Sequence, residues 1–443
     1  MRDLIIIGAG PGGYELALEA ASQGLKVTLI EKDALGGTCL NHGCIPTKSF
    51  YHTAKLIKDF QEAQNLGFSP LPNWDYQKTL HRKNEIVSQL VGGIKFLLEK
   101  AQVEVIHGHG KLISPHQVQV NEQIIEGAFI VIATGSSSAK LPLPGFNLPQ
   151  VLSSTEMLDL DVIPKKLAIV GGGVIGIEFA SIFQQFGSEV EVFEALDTIL
   201  PLSDREISKR LLSYLKQSGI KFHLKTMVSK IEKTDHLQLF YQEKDQELTT
   251  EADVVLVAVG RKPKLDKLGL EEVGIVYDRF GIKVNEHFQT NFPHIYAIGD
   301  VTGKMMLAHS ATYSGFQVLK HLLHQSDRID FSILPSCVFT FPEVAQVGLT
   351  EEEAKSLDYR VLKSFFRANG KALTINETNG FIKIIVVDEV IRGVHILGPH
   401  ASDLISEAVA LLNQKTTVQE MKNFIHPHPT LGEIFASAIR EDH

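Results

Sequence analysis

Cysteine is scarce, with three in 443 residues. That is too few for a framework of structural disulfides, so the fold must rest on an ordinary apolar core. Long apolar runs are missing as well. Stretches such as Val254–Val259 stop far short of the roughly 18 residues that a membrane span needs. There is no run of Lys and Arg, and the formal net charge is −9. Both facts argue against a nucleic-acid groove, which requires clustered positive charge. Neither nucleic acid nor membrane is expected as a partner. A strand-like run, Leu4–Ile7, begins almost at Met1 and leaves no room for a targeting peptide. A cytoplasmic chain is therefore expected, unless a presequence was removed before this numbering began.

What is present is ordinary globular material, 44% hydrophobic and 21% charged, long enough for two to four domains. Leu4–Ile7 leads into Gly8-Ala-Gly-Pro-Gly-Gly13 and a helix over Tyr14–Ser22. A second strand, Lys26–Ile30, then ends at Glu31. The plan recurs as Leu167–Val170, Gly171-Gly-Gly-Val-Ile-Gly176, a helix through Phe186 and a strand ending at Glu194. The duplication predicts an α/β protein with two Rossmann-like, doubly wound, three-layer dinucleotide-binding domains. Further buried strands are expected at Phe129–Ala133, Val254–Val259 and Ile295–Ile298, with a linker at Pro142–Gly145. The last 110 or so residues mix strand-like runs (Val338–Phe341, Phe381–Val387, Gly393–Ile396) with amphipathic helices at Asp403–Asn413 and Thr417–Phe424. They predict a C-terminal α+β domain, with capping boxes at Thr350/Glu353 and Thr417/Glu420.

Each glycine motif follows an apolar strand, opens a helix and has an acid about 18 residues on, the full context that dinucleotide binding demands. Gly8 and Gly171 permit the tight turn. Gly10 and Gly173 let backbone approach a pyrophosphate, and Gly13 and Gly176 let helix pack on strand. The phosphates then meet a helix N-terminus, where unpaired N–H groups favour negative charge. Glu31 and Glu194 are placed to accept hydrogen bonds from ribose hydroxyls. A carboxylate at 194, with no Arg in Ala195-Leu-Asp197, repels a 2′-phosphate and favours NAD over NADP.

Cys39 and Cys44 lie five positions apart in Gly36-Gly-Thr-Cys-Leu-Asn-His-Gly-Cys-Ile-Pro-Thr-Lys48. In a regular helix that spacing separates Cα atoms by roughly 8–9 Å, whereas a disulfide needs less than about 7 Å. The pair can bridge only across irregular backbone, which Gly37 and Gly43 allow. A pair of small buried residues or half a zinc site are the alternatives; no second Cys pair exists to complete such a site, and no metal is expected. Downstream, His426-Pro-His428-Pro-Thr430-Leu-Gly-Glu433 offers a base, because dithiol chemistry needs a thiol to be ionised. Read alone, His428 could equally be a loop residue and Glu433 the far half of a capping box with Thr430.

These residues together resemble the pyridine nucleotide-disulphide oxidoreductases, most closely those that oxidise dihydrolipoamide. The matching stretches run end to end: Gly8–Tyr14, Gly36–Lys48, Ala133–Gly135, Gly171–Glu178, Gly260–Arg261, Ala297–Asp300, Leu307–His309, Pro342–Gly348 and His426–Glu433. The resemblance implies an FAD domain over 1–145, an NAD domain over 146–265, a segment 266–332 completing the FAD domain, and an interface domain over 333–443. It implies that Glu31 meets the ADP ribose of FAD and that Gly37, Thr38, Gly110, Thr134, Gly135 and Ser136 lie along the cofactor. Lys48 would lie near the flavin and pair with Glu178. Asp300 would meet the ribityl or pyrophosphate portion, and the helix starting near Met306, Leu307, Ala308 and His309 would aim its N-terminus at the flavin ring. Val228, Gly260 and Arg261 would be further cofactor contacts. A homodimer is implied, with His428 and Glu433 brought to the other subunit's disulfide. Cys39 would then meet the substrate and Cys44 the flavin.

The implied activity is reoxidation of dihydrolipoamide carried on the lipoyl domains of 2-oxoacid dehydrogenase or glycine cleavage complexes, with FAD and NAD as cofactors. The alternatives are an NAD(P)H-dependent reductase of another small disulfide and a non-enzymatic flavoprotein. His42, Pro427 and Ser314 depart from the family's usual residues.

Overall fold

Leu4–Ile7 is apolar at every position because a parallel sheet covered on both faces has no wet side to mark. In the computed structural model, which describes residues 2–69, 73–244 and 246–440, those residues are 0–3% exposed. The chain forms two compact units. The first is built from residues up to Ser49, Asp75–Ala139 and Gly260–Ile329; the second from Phe50–Trp74, Lys140–Val259 and Asp330 onward.

In the first unit, parallel strands run in the order Glu104–His107, Val27–Glu31, Arg2–Ile7, Gln123–Ile132, with Ile295–Ala297 also paired to Gln123–Ile132. The expected strand at Phe129 is the end of a longer one. Its first residues, Gln123–Glu126, pair antiparallel with Gln117–Val120, and that strand with Gly110–Ser114. Ile5, Ile7, Ile30, Ile130, Ile132 and Ile295 build the core. The first helix spans Pro11–Ser22, starting inside the glycine motif rather than at Tyr14. Pro11 has no N–H to leave unpaired in the first turn. Gly12 has a separate reason to lack a side chain: a Cβ there would come within 2.9 Å of the Ala311 carbonyl. The helix Ala308–Leu322 thus packs directly on the first helix.

The second unit contains a fully parallel sheet, in the order Lys221–Leu224, Glu189–Glu194, Lys166–Val170, Val254–Val257, Val151–Leu152. The helix Val174–Gln185 opens at the second glycine motif. An antiparallel meander, Met227–Lys233, Leu237–Glu243 and Gln246–Ala252, accompanies it. The C-terminal part is a five-stranded antiparallel sheet: Ser336–Val338, Glu343–Gly348, Val390–Gly398, Phe381–Val387, Tyr359–Phe365. Ile382, Ile384, Val386, Val394 and Ile396 share one core with the helices Ala401–Asn413 and Glu433–Arg440. Both expected capping boxes form, and Ser153/Glu156 makes a third. The helix expected over Thr417–Phe424 is a single turn, Val418–Met421. Among the described residues no helix is long and apolar enough to cross a membrane.

Candidate active site and nucleotide cradles

The two glycine motifs are built alike. Gly8 and Gly171 have φ of +107° and +115°, conformations that L side chains rarely adopt. A Cβ at Gly13 would lie 1.9 Å from the Gly8 carbonyl oxygen, and one at Gly176 2.0 Å from that of Gly171. Gly10 and Gly173 are different: a Cβ at either meets nothing within 4 Å. That is the open space at a helix N-terminus which a diphosphate requires. Each strand-end acid is pinned by two backbone amides. Glu31 accepts from Ala9 (2.6 Å) and Asp33 (2.8 Å); Glu194 accepts from Gly172 (2.5 Å) and Leu196 (2.7 Å). The residues present thus fit one dinucleotide in each unit.

Around the first cradle, the Ser136 hydroxyl donates to Asp300 (2.5 Å) and accepts from Arg261 Nε (2.7 Å). Arg261 also donates to the Ser136 carbonyl at 2.9 Å. Arg261 therefore buttresses Ser136 and Asp300, a connection that its position in the sequence did not suggest. Thr134 donates to the Lys264 carbonyl, and the amide of Lys264 donates to the Gly135 carbonyl. Gly110 is buried beside Ile7. Met306 precedes Leu307, the N-cap of the helix Ala308–Leu322, in which His309 occupies the first turn; Leu307 offers no side-chain oxygen to cap that end. Val228 is a core residue of the second unit, 6% exposed.

Gly37 lies against the first cradle, where a Cβ would fall 2.7 Å from the Gly10 Cα. A short helix, Gly37–His42, starts there and carries Thr38 and Cys39. Gly43, at φ −148° and ψ −109°, ends it, and a second helix, Cys44–Ala63, begins at once. A Cβ at Gly43 would crowd the Thr38 carbonyl at 3.0 Å. This break defeats the helical separation of five residues and brings the two cysteine side chains into a hydrogen bond. That bond is the main cause pushing the Cys39 thiol up, followed by burial and by negative charge on Cys44; Lys48, one turn further on, acts against them. Cys44 is the more exposed of the two. Tyr14 was read only as the start of a helix. Burial first, then the hydrogen bond and charge of Glu15, push its phenol up, and Cys39 lies within electrostatic reach of it. Past Ser49 the helix belongs to the second unit, where Tyr51 donates to Glu343 (3.0 Å) and stacks on Phe341.

In the second unit Glu178 is buried, and its Oε1 accepts the Phe339 amide at 3.0 Å. His428 Nδ1 donates to Glu433 Oε1 at 2.9 Å, which fixes the tautomer and leaves Nε2 to take up a proton. Glu433 Oε2 accepts the Thr430 amide at 2.9 Å. The expected reciprocal capping bond does not form: the Thr430 hydroxyl donates to the Pro427 carbonyl instead, because the helix begins only at Glu433. Glu433 is therefore half a cap and wholly a partner of His428. The Thr430 amide first, then His428, holds its carboxyl below the usual range. His428 is 79% exposed. Among the described residues no group of three or more His, Cys, Asp or Glu is arranged to hold a metal ion.

Residues 2–315 match the pyridine nucleotide-disulphide oxidoreductase family and residues 334–439 its dimerisation domain. A dihydrolipoyl dehydrogenase of Bacillus subtilis is 39% identical, covering 98% of this chain and 97% of the relative. One from Chlamydia muridarum is 40% identical over 98% and 96%, and a leghemoglobin reductase of Glycine max 39% over 99% and 87%. Among solved structures, the HOCl-induced flavoprotein disulfide reductase RclA of Escherichia coli superposes with a TM-score of 0.90 at 31% identity, covering all of both chains. The dimerisation domain supports a homodimer. With two matching cradles, a cysteine pair and end-to-end similarity, the chain belongs to the pyridine nucleotide-disulphide oxidoreductases, as a flavoprotein oxidoreductase whose cofactors are FAD and NAD.

Proposed function

We propose that the chain is a dihydrolipoyl dehydrogenase, oxidising dihydrolipoamide presented on the lipoyl domains of 2-oxoacid dehydrogenase or glycine cleavage complexes. The observation that carries this reading is the cysteine pair across Gly43, where the break between two helices brings Cys39 and Cys44 into side-chain contact beside the first glycine motif. Two cysteines so placed can close a disulfide and accept two electrons from a dithiol.

Gly8, Gly10, Gly13 and Glu31 hold the ADP half of FAD, with Gly37, Thr38, Gly110, Thr134, Gly135, Ser136, Asp300 and the helix start at Met306–His309 along the rest. Gly171, Gly173, Gly176 and Glu194 hold NAD, and the Glu194 carboxylate turns away a 2′-phosphate. Held there, FAD would supply a two-electron acceptor for the dithiol and a hydride donor for NAD+. The protein's own part is thiol exchange. His428 removes a proton from one substrate thiol, oriented by Glu433. The thiolate attacks the Cys39 sulfur; the Cys39–Cys44 bond breaks and its electron pair stays on Cys44. The second substrate thiol displaces Cys39 to close the lipoamide disulfide. Of the two substrate protons, one ends on Cys39 and one on His428, beside an anionic Cys44. Lys48, one turn beyond Cys44, supplies positive charge toward the pair. The exposed His428 lies on the dimerisation domain, which supports its serving the cysteine pair of the partner protomer. A reducing compartment, the cytoplasm, suits a catalytic pair of this kind.

A second reading is favoured by the likeness to RclA: reduction of another small disulfide by NAD(P)H. Steady-state assays of the purified protein with dihydrolipoamide and NAD+, against glutathione disulfide and NADPH, separate the two. Turnover in the first assay, lost in Cys39→Ser, is expected. Fast turnover only in the second overturns the assignment.

A further inference from the structure

Three stretches of the second unit converge on one buried carboxylate. Asp204 is 0% exposed, ends the loop that follows the strand Glu189–Glu194, and is the N-cap of the helix Arg205–Gln217. Its Oδ1 accepts the amides of Glu206 (3.0 Å) and Ile207 (3.4 Å), and its Oδ2 that of Glu351 (3.3 Å). Both oxygens accept from the ammonium of Lys383, at 2.9 Å each. Lys383, on the C-terminal sheet, is itself 1% exposed, with Glu351 and Glu206 as its other anionic neighbours. Charges this deep persist only when paired.

The other end of the same loop reaches the second glycine motif. The Leu200 amide donates to the Gly172 carbonyl at 2.9 Å, while the Gly172 amide donates to Glu194. Gly172 is thus gripped on both sides by the segment that Asp204 terminates. Leu200 adopts φ +47°, a conformation disfavoured for a side chain of its kind. The Ser203 amide and the Ser208 hydroxyl, donating to its carbonyl at 2.9 and 3.1 Å, hold it there. Ser208 lies on the very helix that Asp204 caps. A continuous set of bonds therefore runs from Lys383 through Asp204, Ser208 and Leu200 to Gly172.

We propose that Asp204, locked by Lys383, is a positioning residue for the nicotinamide dinucleotide: it sets the shape of the second cradle from outside, without touching the ligand. The proposal rests on the reading that this cradle holds NAD. It places the effect on nucleotide affinity and not on thiol exchange.

The test uses the FAD-loaded homodimer, titrating NAD+ into the oxidised enzyme by calorimetry and following its reduction by dithiothreitol in stopped flow. Lys383→Met is expected to weaken NAD+ binding about tenfold or more and to leave the reduction rate within about twofold of wild type. Should Lys383→Met fail to fold, Asp204→Asn/Lys383→Met, which leaves no buried charge unpaired, is expected to show the same split. Binding within about twofold of wild type, or an equal loss of binding and reduction, overturns the proposal. Glu194→Ala separates the two ideas. If it weakens NAD+ binding while Lys383→Met does not, only the positioning role fails. If neither variant changes binding, the assignment of NAD to this cradle fails with it.

Discussion

One methyl group separates Gly13 from alanine, and the fold has no place for it. The nearest atom is the Gly8 carbonyl oxygen, 1.9 Å from where the Cβ would sit, and Gly8 itself is held in a turn that few other residues adopt. Overpacking of this kind costs about 1–3 kcal/mol. Gly13→Ala should therefore purify with markedly less flavin, read as the ratio of flavin to protein absorbance; a full complement of FAD would show that the helix can shift away. The roles of the glycines were legible in the sequence because each answers to a local constraint. Asp204 and Lys383 were not: one is 179 positions from the other, and although Lys383 stands within an apolar run, nothing in the sequence names the carboxylate that pairs with it. Arg261 was legible as a residue of the cofactor region but not as the buttress of Ser136 and Asp300, since that depends on three distant segments meeting.

Strands were most legible where both faces are covered. Phe381–Val387 was expected over the same residues that form it, because its apolar run is bounded by turns. The meander Met227–Ala252 escaped notice, although Leu237, Leu239 and Tyr241 alternate inward as a half-buried strand requires. The C-terminal sheet also carries a titrating element. His395 pairs in register with Lys383 and donates from Nε2 to the Leu349 carbonyl at 2.8 Å. Burial pushes its pKa down, against opposing effects from the Leu349 carbonyl and Asp204. Above about pH 6.5 both folded and unfolded chains hold it neutral. As pH falls below that value the unfolded chain binds a proton that the folded chain refuses, so stability declines by up to about 1.4 kcal/mol per pH unit. Melting temperature should accordingly drop between pH 6.5 and 5, and His395→Gln should flatten that drop. An identical slope in the variant would assign the proton elsewhere.

At the level of the assembly, no periodicity in one chain can reveal that a base serves a neighbouring molecule; that expectation came from family likeness, and it has a sharp consequence. Cys39→Ser and His428→Gln homodimers should both be inactive in dihydrolipoamide oxidation. Unfolded together and refolded, half the dimers are mixed, and each mixed dimer has one intact pairing of Cys39 with His428. About a quarter of wild-type activity should return if the base acts across the two-fold axis, and none if it acts within its own chain. The path of the chain has another consequence, for biosynthesis. The sheet that begins with Arg2–Ile7 needs Ile295–Ala297 beside Gln123–Ile132, and the first helix packs under Ala308–Leu322. Synthesis runs from the N-terminus, so the parallel sheet of residues 150–257 is finished while the earlier-made sheet still lacks a strand. The part made first is closed late, and a ribosome that stops short of Ile295 releases a chain with an open strand edge, a template for aggregation.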